Sequence, residues 1–533
     1  LLSLFKLLNC TASHVKMASQ SKRVAIIGAG PSGLVAIKEC LAAGLTVQCF
    51  ERAHALGGQW LYEPAPTADT HSSMYAGVIL NSSRSTTGFS DFPLDPARYP
   101  IYYSHELQLR YLNEYAAHFD LEKHIRFNTS VSGCAPYKDG GWEMRISNSK
   151  TGADRGEEVL VFDAVVCGTG LANKPIIPDY EGRDKFKGEV LHSQFYRTPS
   201  AYEGKKVVIV GLGSSAVDIA CEVGPQAKEL TVISRRGGWV LPRFILGKPL
   251  EAWDSRASQT WIPASVQEYL FEKVFRHAVG KIPAELQPDH GIINQNITVR
   301  SEFMERLQTG VFVLRRSTIA SFIETGVVLA DGTTIDADAV ILATGYHIVD
   351  QPYLPPGALA SRDAPAPHVD LYKMIVPPRW KDLYVLGQAE QNGPVNPVSE
   401  AQARYVAAVI GGKIQLPSEE EMMRDIHAFR IWQQKHFINS DRHALSVEFV
   451  RYVDGLLEPL GAAPSFWKLF GRIFTSGSPL RALKVLSAVF FGISAPAQWR
   501  LVGEGSTPKL AEETLLRTDA DAGELSEGEK ALL

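Results

Sequence analysis

An α/β protein made of two parallel-sheet units, the second inserted into the first, is the fold class this sequence predicts. Three observations point to it. A buried strand, a glycine loop, a helix and a second strand follow one another in "RVAIIGAGPSGLVAIKECLAAGLTVQCFE", and the same order returns in "KKVVIVGLGSSAVDIACEVGPQAKELTVISRR". Two further apolar runs, "VVCGTG" and "VILATGY", end in Thr-Gly on either side of the second unit. The chain of 533 residues also exceeds what a single core fills, so two or three domains are expected.

The first unit contains G-x-G-x-x-G at Gly28, Gly30 and Gly33, with Pro31 and Ser32 opening the helix. Glycines at these positions allow a tight turn and let backbone amides approach a pyrophosphate at the positive end of the helix, the Rossmann-like arrangement. A bare glycine triplet also fits any tight strand-to-helix turn. Here the second strand ends in Glu51, at the distance where a carboxylate accepts hydrogen bonds from a ribose diol.

The second unit has Gly211, Gly213 and Ala216 in the glycine positions, with Ser214 and Ser215 at the helix start. Ser234 stands at the offset of Glu51 and is followed by Arg235 and Arg236. A carboxylate suits a ribose diol and repels a 2'-phosphate, whereas a hydroxyl with guanidiniums favours the phosphate. The first cradle therefore reads as an FAD site and the second as an NADPH site. The competing reading of the arginines is a solvated strand end. "LGGQW" after the first unit adds Gly58, Gln59 and Trp60 as further residues for the first dinucleotide.

Composition narrows the function classes. A hydrophobic fraction of 45%, 21% charged residues and a net charge of -4 describe an ordinary globular chain with no basic excess to attract nucleic acid. The six cysteines contain no C-x-x-C, which argues against a zinc site, a redox dithiol and a disulfide framework, and no metal ligand set is visible.

"FKGEVLHSQFY" fits F-x-G-x-x-x-H-x-x-x-Y, and it joins "VILNSSRSTTGFSDFP", "GPVNPVSEAQARY" and a late "QWRLVGEG" in the order of one known family. From about residue 22 to about 510 the chain resembles the flavin-containing monooxygenases, single-component class B enzymes. The resemblance implies FAD and NADPH as cofactors and a cycle in which reduced flavin captures O2 as a C4a-hydroperoxide. A small soft nucleophile, an amine nitrogen or a sulfide, then takes the distal oxygen. It further implies that Asn81 lies beside the flavin, although "NSS" is also a glycosylation sequon or an Asx-turn. Thr344 and Gly345 are expected where the chain crosses between the two domains. His192 is expected to be structural or cofactor-positioning rather than a base. Ser399 is expected as the cap, with Glu400 just inside, of a helix whose N-terminus faces the flavin, the equal alternative being a core helix with an ordinary cap.

Three alternatives stand beside this reading. A Baeyer-Villiger monooxygenase uses a similar scaffold, but its histidine motif ends in tryptophan where this chain has Tyr196. A single-component halogenase would oxidise halide with the same hydroperoxide. A silent FAD-binding protein would be expected to lack Asn81 or one cradle.

The expected division is an FAD domain at 17–175 and 335–440, an NADPH domain with helical elaboration at 176–334, and a C-terminal helical region at 441–510. Residues 1–16 read as a non-native leader and 511–533 as an acidic disordered tail. The elaboration is expected to shape substrate selectivity. In "PSFWKLFGRIF" the aromatic residues fall at helical spacing with Lys468 and Arg472 between them. A core stripe is the default there, and a membrane interface through 464–500 is the alternative, giving a cytoplasmic protein with or without peripheral membrane contact. Oligomeric state is not legible.

Overall fold

The computed structural model describes residues 21–521, apart from 68–69, 71, 150–156, 172, 296, 349–350, 361–367 and 439–441. The leader assigned to 1–16 and the tail beyond 521 lie outside the described residues.

Ten strands build two larger sheets: β1 (Arg23–Ile27), β2 (Thr46–Phe50), β3 (Ile125–Arg126), β4 (Ala164–Cys167), β5 (Glu189–His192), β6 (Lys206–Val210), β7 (Glu229–Ser234), β8 (Val313–Arg316), β9 (Ala339–Leu342) and β10 (Leu383–Val385). The first sheet has the order β10-β4-β1-β2-β3 and the second β8-β7-β6-β9-β5, parallel throughout. Strands covered on both faces read as continuous apolar runs. Accordingly, Val24 to Ile27 of β1 and all four residues of β9 are buried.

In each sheet the glycine-loop strand, β1 or β6, has neighbours on both sides, and its loop opens into a helix. These are α1 (Pro31–Ala42) and α2 (Ser214–Val223). Such a reversal of strand order leaves a crevice at the carboxyl ends of the strands, where ligands settle in open α/β sheets.

Four later helices complete the frame used below: α3 (Val395–Ile410), α4 (Phe466–Thr475), α5 (Pro479–Phe491) and α6 (Pro508–Asp521). The expected elaboration forms two helices, Arg256–Trp261 and Ala264–Val279. None of the described helices is long and apolar enough to cross a membrane.

Three expectations are corrected. The expected boundary at 335 puts β9 in the first unit, yet it pairs with β6 and β5 in the second sheet, because its apolar run completes that parallel core. Residues 511–521 are not a disordered tail but most of α6. Ala511 and Leu515, four residues apart, are buried, and Glu512 pairs with Arg472 and Arg481. The aromatic stripe of α4 is not a core stripe: only Leu469 is buried there, while Trp467 and Phe474 are each 75% exposed.

Candidate functional site

The first cradle is closed by contacts that only glycine tolerates. Gly28 adopts φ +93°, and a Cβ on Gly33 would lie 1.8 Å from the Gly28 carbonyl oxygen. A Cβ on Gly58 would stand 3.0 Å from the Cα of Gly30, so the "LGGQW" loop presses backbone against backbone beside the helix start. Pro31 is the first residue of α1, where its missing N–H costs nothing. Glu51 is buried and turned back to the loop: its Oε2 accepts from the Ala29 N–H at 2.7 Å and its Oε1 from the Ala53 N–H at 2.8 Å. Trp60 is half-buried, and Gln59 uses its Oε1 to accept from the Ser73 amide and hydroxyl, each at 3.0 Å.

Ser399 is not a helix cap. Pro394 takes that place, and Ser399 lies inside α3, fully buried, with its hydroxyl 2.9 Å from that of Ser32. Pro397 can occupy the first turn because the first four helical N–H groups have no intrahelical partner. The α1 and α3 helices thereby bring their N-terminal turns together.

Glu400 is spent elsewhere. Arg500 of "QWRLVGEG" reaches Glu400, Glu39 and Asp91 at 2.6, 2.8 and 3.0 Å, and donates to Ser90 at 2.7 Å. Burial pushes the Glu400 carboxyl up, but Arg500 and Lys38 outweigh it and hold the group below its ordinary range. Three carboxylates that could hold a metal are thus occupied by cationic side chains.

The second cradle repeats the first. Gly211 adopts φ +127°, and a Cβ there would lie 2.4 Å from the Ala343 carbonyl oxygen. Gly213 caps α2, with Ser214 and Ser215 half-buried in its first turn. Ala216 is buried without conflict. At the far end of β7 the Ser234 hydroxyl donates to the Arg236 carbonyl at 2.7 Å, and both Arg235 and Arg236 are exposed. Sequence reasoning missed a third guanidinium. Arg316 of β8 pairs with Ser234 in register and contacts Asp289 at 3.1 Å. Its signal was present, since "FVLRRS" also ends a strand in two arginines.

Between the cradles the chain crosses at residues the sequence singled out. Thr344 donates to the Ile176 carbonyl, and the Ile176 N–H donates to the Gly345 carbonyl at 2.9 Å. Both residues are therefore engaged by the crossing segment. His192 ends β5 and packs edge-on against Tyr346. Burial pushes its imidazole down to about 4, with the Gly345 backbone opposing, so it is neutral near pH 7. Its Nδ1 accepts from the Gln194 N–H at 3.2 Å.

Downstream of the first cradle, Thr70 and residues 72–81 form a strap, several of whose residues contact the second unit. Arg197 donates to the Ser72 carbonyl at 3.0 Å, Gln194 to the Thr70 carbonyl at 3.0 Å, and the Tyr75 hydroxyl to Asp218 of α2 at 2.6 Å. Asn81, half-buried, closes the strap. Arg243 reaches the Asn81 Oδ1 at 3.4 Å and also donates to the Ile79 and Leu80 carbonyls.

A polar lining at the mouth of α3 was also invisible in the sequence. Gln388 donates to the Gly170 carbonyl at 3.4 Å, while its Oε1, the Gln391 Oε1 and the Asn396 Nδ2 are buried without a protein partner. Buried polar atoms of this kind call for a ligand or ordered water. Together with the glycine loops, they fit a flavin dinucleotide on the first unit.

Two glycine cradles on two parallel sheets, one ending in a carboxylate and one in guanidiniums, define a protein with two dinucleotide-type sites. The chain belongs to the flavin-binding monooxygenase-like family, whose model matches residues 21–521. It is 32% identical to flavin-containing monooxygenase 5 of Mus musculus over 516 residues, 93% of this chain and 92% of that protein. It is also 32% identical to dimethylaniline monooxygenase [N-oxide-forming] 2 of Rattus norvegicus over 501 residues, 91% of this chain and 89% of that one. In fold it is similar to S-allyl-L-cysteine S-oxygenase from Allium sativum, with TM-score 0.63 and 24% identity, covering 95% of this chain and 99% of that one. It is thus an FAD- and NADPH-dependent monooxygenase acting on a small molecule and O2.

Proposed function

We propose that this enzyme oxygenates the nitrogen of an amine or the sulfur of a sulfide. The observation that carries this reading is the 32% identity over 91% of the chain to an N-oxide-forming monooxygenase, with Asn81, held by Arg243, read as the amide that faces the flavin. Bound FAD supplies hydride acceptance from NADPH and activation of O2. The protein holds the two cofactors, excludes water and aims an amide dipole at the reacting edge.

In this reading Gly28, Gly30, Pro31, Gly33 and Glu51 hold the diphosphate and ribose of FAD, with Gly58 closing the loop. Gly211, Gly213, Ser214 and Ser215 hold the NADPH diphosphate, while Ser234, Arg235 and Arg236 hold its 2'-phosphate. His192 is a neutral spacer at the crossing. We divide the chain as the sequence did, but with the second unit running on to about 346 to include β9.

The test is product analysis with N,N-dimethylaniline, an alkyl aryl sulfide, a cyclic ketone and bromide, each with NADPH and O2. Amine or sulfide oxygenation matching NADPH consumption is expected. Conversion of only the ketone or bromide would overturn the reading in favour of the Baeyer-Villiger or halogenase alternative.

The same proposal includes peripheral contact with a membrane on its cytosolic face through α4 and α5. Ring contacts run from Phe491 through Trp261, Phe466 and Phe470 to Phe474, and no acidic residue falls between Glu458 and Glu504. Aromatic side chains with interleaved lysine and arginine suit an interface. Cosedimentation with phosphatidylserine vesicles is expected for the parent chain and not for a Trp467→Ser, Phe474→Ser variant. Equal sedimentation of the two would overturn it.

A further inference from the structure

We infer that Arg243 and Glu251, both from the stretch that follows β7 in the second unit, are positioning residues that fix the orientation of Asn81. The inference rests on the reading of Asn81 as the amide that faces the flavin.

Arg243 is 4% exposed and grips three consecutive residues. Its Nε donates to the Leu80 carbonyl at 3.3 Å, and its Nη2 to the Ile79 carbonyl at 3.1 Å and to the Asn81 Oδ1 at 3.4 Å. With the guanidinium on the oxygen side, the amide nitrogen of Asn81 is the end left to face away. An amide that could otherwise flip between donor and acceptor is thereby given one orientation.

Glu251 works from the other side of Asn81. Its carboxylate accepts from the Ser83 N–H at 2.6 Å and stands 3.5 Å from the Thr86 hydroxyl, where the short helix Arg84–Thr87 begins. The Tyr102 hydroxyl links the two, 2.7 Å from the Arg243 carbonyl and 2.8 Å from the Glu251 carboxylate. Ser83 is fully buried and Tyr102 is 2% exposed, so water does not compete for these bonds. The turn bearing Asn81 is therefore bracketed by the Arg243 guanidinium on its carbonyls and the Glu251 carboxyl on the Ser83 N–H. Glu251 opens the elaboration, whose sequence suggested only substrate selectivity, and Arg243 stands just ahead of it.

The experiment uses the FAD-loaded full chain. Arg243→Met, Arg243→Lys and Asn81→Ala are compared for H2O2 formed per NADPH consumed, for KM of NADPH, and for hydrogen–deuterium exchange of the peptide spanning residues 78–86. A misplaced donor loses part of what a deleted one loses, so Arg243→Met is expected to raise the peroxide fraction about tenfold. KM for NADPH is expected to stay unchanged and exchange of 78–86 to accelerate. Arg243→Lys keeps the charge and loses the fork, and is expected to fall between. If Asn81→Ala uncouples while Arg243→Met, or Arg243→Lys should the first not fold, remains coupled with parental exchange, the bracket is overturned and the Asn81 reading survives. If Asn81→Ala itself stays coupled, that reading fails, and the inference with it.

Discussion

Replacing Arg235 and Arg236 together by alanine tests the cofactor assignment most directly. Both guanidiniums are exposed at the end of β7 and neither forms an ion pair among the described residues, so their removal leaves no buried charge stranded. A charge-assisted hydrogen bond contributes about 1.5–3 kcal/mol. Solvent at this open strand end reduces each to roughly 1 kcal/mol. Two such contacts amount to about 2 kcal/mol, or a ~30-fold rise in KM for NADPH. NADH carries no 2'-phosphate, so its KM is expected to change little. Steady-state NADPH and NADH oxidation by the parent and the double variant gives both values. The NADPH advantage of the parent is expected to shrink with added salt, because exposed charges are screened. Arg316, engaged with Asp289, sustains a residual preference in the variant. An unchanged KM for NADPH, or an equal rise for both nucleotides, would refute the assignment.

Gly33→Ala is expected to give protein without flavin, because its Cβ would sit 1.8 Å from the Gly28 carbonyl oxygen, whereas Gly455→Ala, with nothing within 4 Å, stays yellow. Parental flavin absorbance in the first variant would contradict this account of the cradle. His192 has a folded pKa near 4, below the ordinary 6.5, so it favours the folded state fully above about 6.5 and progressively less as pH falls toward 4. His192→Gln should therefore flatten the decline of Tm between pH 6.5 and 4, and an identical slope in the two proteins would exclude the contribution. Arg500→Met strands Glu39, Asp91 and Glu400 with only Lys38 and Arg404 nearby, and is expected to destabilise by about 3 kcal/mol or more. An unchanged Tm would show that the cluster is not a structural tie.

Both cradles were legible because each is contiguous: strand, loop, helix and charged strand end fall within one short stretch, and the local periods agree with the turn chemistry. Ser399 misled for an equally local reason. A serine followed by glutamate looks like a cap, but prolines at 394 and 397 are compatible with a helix that starts earlier. The tail misled through composition, since its acidic residues concealed the spacing of Ala511 and Leu515 against α5.

What sequence could not supply is whatever depends on residues far apart meeting in space. Arg316 stands beside Ser234 only because β8 pairs with β7, and Gln388 reaches Gly170 only because β10 lies next to β4. Arg243 and Glu251 are the extreme case: neither belongs to a motif, and each finds its partner about 160 residues upstream. Their placement ties the stretch after β7 to the turn that bears Asn81. A guanidinium on two carbonyls and a carboxyl on the Ser83 N–H restrain a single turn whatever substrate arrives. Variation within the helices 256–261 and 264–279 leaves the amide undisturbed, provided these two side chains stay in register with residues 79–83.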